Sequence, residues 1–195
     1  MKKKIILASG NKGKIAEVKR ILGELDIPIL SLHEINFEGE IVEDGNSFEE
    51  NAKIKAIEIF NSYKLPTIAD DSGLVVEQLN GEPGIYSARY AGINSDDEAN
   101  NIKLLENLSN KPEPHRAKFV CSAVYYSGEK ICTTVGEVHG KIINKARGNN
   151  GFGYDPLFVP DGYAKTMAEL DPEIKNSISH RFKAFDQLKK HLLSI

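Results

Sequence analysis

Asp70 and Asp71 stand side by side between two apolar runs, Pro66-Thr67-Ile68-Ala69 and Leu74-Val75-Val76. Ser72 and Gly73, which follow them, are turn formers, so the two carboxylates are expected at the mouth of a strand, where the chain bends. Carboxylates so placed suit a hard divalent cation such as Mg²⁺, or a water that must lose a proton. A solvated Asp-Ser-Gly turn has the same sequence. Upstream, Ser9-Gly10-Asn11 breaks an apolar run, and Lys12, Gly13 and Lys14 open a helical pattern. The N-terminus of a helix presents free N–H groups and partial positive charge, and Lys14 adds a full one, which makes an anion site in principle. The spacing Ser-x-Asn-x-x-Lys is shorter than the glycine-rich loop of P-loop NTPases, and Ser9 or Asn11 acting only as a helix cap accounts for the same residues.

Downstream, residues 147–156 hold three glycines, two aromatics and an acid: Gly148, Gly151, Gly153, Phe152, Tyr154 and Asp155. Such a loop can press backbone and an aromatic face against a flat ligand; equally, Phe152 and Tyr154 can plug the core. Near the C-terminus, Ser179-His180-Arg181 with Lys175 nearby is suited to gripping an anion or a carbonyl.

These residues need elements to hold them. Residues 4–8 read as a strand and 12–25 as a helix, with Ile15, Val18, Ile21, Leu22 and Leu25 on one face. A second strand is expected over 27–32. Residues 33–47 are acidic and irregular, and include Glu43. Ser47 with Glu50 fits a capping box for a helix over 48–63. On it Lys53 and Lys55 are two apart, so they point to different sides and only one can face a given ligand. A short irregular stretch, 85–92, carries Arg89. Ser95 is expected to cap a helix bearing Ile102, Leu104, Leu105 and Leu108. Residues 119–126 and 130–138, rich in Val, Thr, Tyr and Cys, flank Ser127-Gly128-Glu129 as a β-hairpin. A short strand follows at 157–159, then a helix start at Asp171-Pro172 and a last helix from Ser177.

Bulk composition narrows the class. With 195 residues, 41% hydrophobic and 27% charged, the chain can bury a core as one domain or as two small lobes. No apolar stretch is long enough to span a bilayer. The basic start leads into an apolar run too short for a signal peptide, so a cytoplasmic protein with no membrane partner is expected. The net charge of −3 argues against a nucleic-acid partner. Cys121 and Cys132 fall on neighbouring strands and, with no export signal, are expected as reduced thiols.

Taken together, Ser9-Gly10-Asn11-x-x-Lys14, Asp70-Asp71-Ser72-Gly73-Leu74, Gly151-Phe152-Gly153-Tyr154-Asp155-Pro156 and Ser179-His180-Arg181-x-x-Ala184 resemble the Ham1/RdgB-type inosine triphosphate pyrophosphatases. The four motifs run in the family's order over essentially the whole chain. The resemblance implies an α/β fold: an elongated mixed β-sheet flanked by helices, with residues 1–195 forming a single domain of two lobes around a substrate cleft. It also implies Mg²⁺-dependent hydrolysis of inosine, deoxyinosine and xanthosine triphosphates to monophosphate and pyrophosphate, by a homodimer.

Carried onto this chain, the resemblance implies that Ser9, Gly10, Asn11, Lys12, Gly13 and Lys14 cradle the triphosphate, with Lys55 on the phosphates. Glu43 and Asp71 hold Mg²⁺. Asp71 also activates the attacking water, Asp70 supports it, and Ser72 touches the substrate. Phe152 stacks on the purine in a pocket with Gly153, Tyr154 and Asp155. Lys175, His180 and Arg181 read the base edge. Neither cysteine nor any serine lies in a His-paired motif, so direct attack by water is expected rather than a covalent intermediate. A Maf-type nucleotide pyrophosphatase and a non-catalytic nucleotide-binding protein are the competing readings. The Phe-Gly-Tyr-Asp-Pro and Ser-His-Arg segments speak against the first, and the acidic residues against the second.

Overall fold

The computed structural model describes residues 4–94 and 96–194. The elements follow in the order β1 (Ile5–Leu7), α1 (Lys12–Ile21), β2 (Ile29–Ser31), α2 (Phe48–Tyr63) and β3 (Thr67–Val76). After two short 3₁₀ turns come α3 (Asp97–Leu108), β4 (His115–Tyr126), β5 (Ile131–Ile142), β6 (Phe158–Pro160), α4 (Pro172–Ile178) and α5 (His180–Leu193). One mixed sheet carries the strands in the order β2-β1-β3-β4-β5-β6. β1 runs parallel to β2, with Ile5 opposite Ile29, and parallel to β3, with Leu7 opposite Ile68. β5 and β6 are antiparallel, with Lys141 opposite Val159.

The chain divides into two compact units. The first comprises Met1–Asp71, Cys121–Gly136 and Arg181–Ile195; the second comprises Ser72–Val120 and Glu137–His180. In the first unit, alternation along the strands sorts the core into two layers. Ile5, Leu7, Ile68, Cys121 and Ala123 pack with Val18 and Leu22 of α1 and Phe185 and Leu188 of α5. Ile6, Ala8, Ala69 and Val124 pack with Ala52, Ala56 and Ile59 of α2. The second unit gathers Leu74, Val76, Leu104, Leu108, Phe119, Val138, Tyr154, Leu157 and Phe158.

Several boundaries differ from the sequence expectation. β3 does not bend at Ser72-Gly73 but continues to Val76. A neighbouring strand, β4, lines that strand, and sheet pairing outweighs the local turn preference of Ser-Gly. The last helix begins at His180, because Ser177 lies in the last turn of the separate helix α4, which ends at Ile178, and Ser179 is extended. Ile102 is exposed on α3, while Leu104 and Leu108 face the core. The expected cap Ser95 lies outside the described residues; the Asp96 side chain accepts from the Ala99 N–H and caps α3. Cys121 and Cys132 are free thiols. Among the described residues, no helix is long and apolar enough to cross a membrane.

Candidate active site

The continuity of β3 decides what the two aspartates do. Consecutive residues of a strand point to opposite faces, so Asp70 and Asp71 belong to different surroundings within the first unit. Asp70 shares its face with Ile68, toward α1 and α5. Its Oδ2 lies 3.3 Å from Lys14 Nζ and 3.4 Å from Arg181 Nε, and the Cys121 thiol donates to it at 3.8 Å. Arg181 in turn donates to Glu17 Oε2 at 2.6 Å. Burial alone would raise the Asp70 pKa, but Lys14, Arg181 and Lys55 outweigh it and hold the carboxyl far below the usual range. Burial, with Asp70 beside it, keeps Cys121 protonated.

Asp71 shares its face with Ala69, toward α2. Its Oδ2 accepts from Asn51 Nδ2 at 3.0 Å, and its Oδ1 lies 3.9 Å from Lys55 Nζ. The same ammonium donates to Glu43 Oε2 at 2.9 Å. Here burial dominates and pushes the Asp71 pKa up, against Lys55, Lys14 and the Asn51 bond, with Glu43 adding to the rise. A raised carboxylate is a stronger base than an ordinary one. Lys55 and Asn51 are one turn apart on α2, and both grip the acidic loop, since Asn51 Oδ1 also accepts from the Gly45 N–H at 2.9 Å. Lys53 points elsewhere, to Glu49.

The Ser9–Lys14 turn sits in the same unit. Asn11 caps α1, its Oδ1 accepting from the Lys14 N–H at 3.0 Å, and Ser9 Oγ accepts from the Asn11 N–H at 3.3 Å. Lys12 and Gly13 are the first residues of α1, whose leading N–H groups point out of the helix end. A Cβ on Gly10 would meet nothing within 4 Å, so that stretch of backbone is open to approach.

Ser72, Phe152, Gly153, Tyr154, Asp155, Lys175 and His180 belong to the second unit. Asp155 Oδ2 accepts from the Phe152 N–H at 3.0 Å and lies 3.1 Å from Lys175 Nζ. Lys175 Nζ stands 5.0 Å from the centre of the Phe152 ring, within cation–π range. Gly151 has a positive φ of 82°, and a Cβ there would come within 2.0 Å of Asp155 Oδ2, so only glycine admits this hold. Tyr154 is buried and donates to the Ser87 carbonyl at 2.8 Å, which is a core role. His180 stacks on Phe119 with ring centres 4.9 Å apart. Arg89 lies over the Tyr86 ring.

Three groups of expected residues come together: Lys14 with Asp70 and Arg181, Lys55 with Glu43 and Asp71, and Phe152 with Asp155 and Lys175. Arg181, however, lies in the first unit, and Lys175 and His180 in the second. Three unforeseen residues join the first two groups. Asn51 and Glu17 contact Asp71 and Arg181 directly, and Cys121 backs Asp70. Asn51 had a usable signal: it precedes Lys55 by four residues, hence lies on the same helix face. Glu17 had none, because its partner lies 164 positions away.

Oxygen donors of the hard type are present for a divalent cation. Glu43 and Asp71 converge on one ammonium, and Asp70 Oδ1 is buried without a hydrogen-bond partner among the described residues. No group of three or more His, Cys, Asp or Glu side chains forms a metal cage among the described residues. Mg²⁺ takes one or two carboxylates and completes its shell with substrate phosphates and water, so Glu43 and Asp71 are donors of the right type and number for it.

A model of the Ham1 family matches residues 5–191. The dITP/XTP pyrophosphatase of Geobacter sulfurreducens is 49% identical over 97% of this chain and 96% of its own length. That of Oceanobacillus iheyensis is 46% identical over 99% of this chain and 100% of its own. The solved structure of a HAM1 protein from Coxiella burnetii superposes with a TM-score of 0.92 at 40% identity, covering 99% of this chain and 100% of that one.

Proposed function

The chain belongs to the Ham1 family, and from that membership we infer that it hydrolyses non-canonical purine nucleoside triphosphates, among them dITP and XTP, to the monophosphate and pyrophosphate. Its relatives of that name, similar over nearly their whole length, support the reaction class. The observation that carries the mechanism is the buried Asp71 carboxylate beside Lys55, with Glu43 on the same ammonium.

In this proposal the Ser9–Lys14 turn and Lys55 take the triphosphate, through backbone N–H groups and two ammonium charges. Glu43 and Asp71 would hold Mg²⁺, which would supply Lewis acidity toward the phosphoryl oxygens. Asp71 orients the attacking water and receives its proton. Asp70 is the structural member of the pair: it neutralises Lys14 and Arg181 inside the fold. Ser72, next along β3, contacts the substrate. Phe152 stacks on the purine, with Gly153, Tyr154 and Asp155 shaping the platform. Lys175, His180 and Arg181 read the base edge, Arg181 being anchored also on Asp70 and Glu17. The homodimer and a cytoplasmic site of action rest on likeness to the family.

Base choice follows from hydrogen-bond polarity. Hypoxanthine and xanthine present an oxygen at purine position 6, where adenine presents an amino group. Donors facing that position are satisfied by the first two and left unpaired by the third, which penalises adenine. Purified protein with Mg²⁺ should release pyrophosphate from ITP, dITP and XTP at least about tenfold faster, in kcat/KM, than from ATP. Comparable rates on ATP would overturn this reading of the base.

A further inference from the structure

The loop that carries Phe152 is fastened from outside itself. Asp97, in the first turn of α3, accepts the Gly153 N–H on its Oδ2 at 2.6 Å. Asn101, one turn further on, donates from Nδ2 to the Gly153 carbonyl at 3.0 Å. Both polar groups of one peptide residue are thus taken by side chains at i and i+4 of a single helix. Gly153 itself has a positive φ of 63°, a conformation that the two bonds select. On the other side, the Phe152 N–H is held by Asp155. The backbone around the ring is therefore pinned before and after it.

Asn101 shows that this clamp is kept against a stability cost. Its Oδ1 is buried and has no hydrogen-bond partner among the described residues. Turning the amide over would bring that oxygen against the Gly153 carbonyl, so the unpaired acceptor is the consequence of donating to the loop. A buried acceptor without a partner destabilises a fold. Leucine at this position would remove the cost and also the bond.

We propose that Asp97 and Asn101 are positioning residues for base recognition: they hold Gly153 so that the Phe152 ring is a rigid platform before the purine arrives. The inference rests on the proposed stacking role of Phe152. A preorganised aromatic face avoids the ordering cost of immobilising a loop on binding, so its loss falls on substrate affinity rather than on the chemical step.

The chain contains no tryptophan, so Phe152→Trp installs a single fluorescent reporter at the platform. Acrylamide quenching of that reporter, in free protein, measures platform mobility without turnover. In this background Asp97→Ala and Asn101→Leu should each raise the quenching constant. In the Phe152 protein the same changes should raise KM for ITP about tenfold, with kcat within about twofold. Asp97→Asn, which keeps an acceptor for the Gly153 N–H, should recover most of the affinity. Asn101→Leu should melt no lower than the parent. Unchanged quenching, unchanged KM, or a loss confined to kcat would each overturn the clamp. Phe152→Ala separates the two ideas: if it leaves KM for ITP untouched, the stacking role fails; if it raises KM and the clamp variants do not, only the clamp fails.

Discussion

Asp71→Asn is expected to lower kcat on ITP by about 10²–10⁴-fold while leaving the fold intact, the range typical of losing a positioned acid–base group. Asparagine keeps the size of the side chain and an oxygen for the Asn51 amide. It removes the charge that the proposed cation needs and the basicity that the water needs. The fold should tolerate the change because burial disfavours the ionised form of Asp71 in the native state. A group whose native pKa is raised costs stability when it ionises, so a neutral replacement relieves rather than adds strain. Lys55 keeps its bond to Glu43. Steady-state kinetics with a thermal melt checks both halves. Near-normal turnover would remove Asp71 from its role.

The same substitution one residue earlier should do the reverse. Asp70→Asn is expected to destabilise the protein by about 3–5 kcal/mol, the cost of removing one partner from a buried ion pair. The Asp70 side chain is fully buried, and its oxygen sits between Lys14 and Arg181, the latter only 2% exposed. Asparagine leaves those two cations facing a neutral amide in a low-dielectric interior, while Glu17 stays on Arg181. For a chain of this length such a loss lowers Tm by about 10 °C. The pH dependence has a definite sign. The native pKa of Asp70 lies below its unfolded value, so its contribution is complete above the ordinary carboxylate range and is lost as pH falls below it. Acid unfolding of Asp70→Asn should therefore be flatter than that of the parent. A melt within about 1 kcal/mol of the parent would contradict the structural assignment of Asp70.

This opposition was not visible in the sequence. Two acids followed by Ser-Gly look like one turn, and a turn would have put both carboxylates in one place. The strand continues because its neighbours pair with it, and pairing partners far along the chain are not written in the local residues. The period of two then sends adjacent residues to opposite faces. Where local signals agreed with the fold, the reading was close: Ser47 caps α2, its side chain accepting from the Glu50 N–H at 3.1 Å, and α2 spans residues 48–63 as expected. Glu50, however, reaches back to the Asn46 N–H rather than closing the box on Ser47. The supporting residues Asn51, Glu17, Asp97 and Asn101 were missed because apolar periodicity places a helix but says nothing of which polar side chains find partners across the fold. The motif residues were legible as chemistry, and the groups that hold them in place were not.

The bond that is broken can be read directly. ³¹P NMR of ITP, Mg²⁺ and the wild-type protein should show inosine monophosphate and pyrophosphate appearing together in equal amounts, with no orthophosphate and no diphosphate intermediate. Inosine diphosphate with orthophosphate, or an unchanged ITP spectrum, would contradict the assignment of this chain as a triphosphate pyrophosphatase.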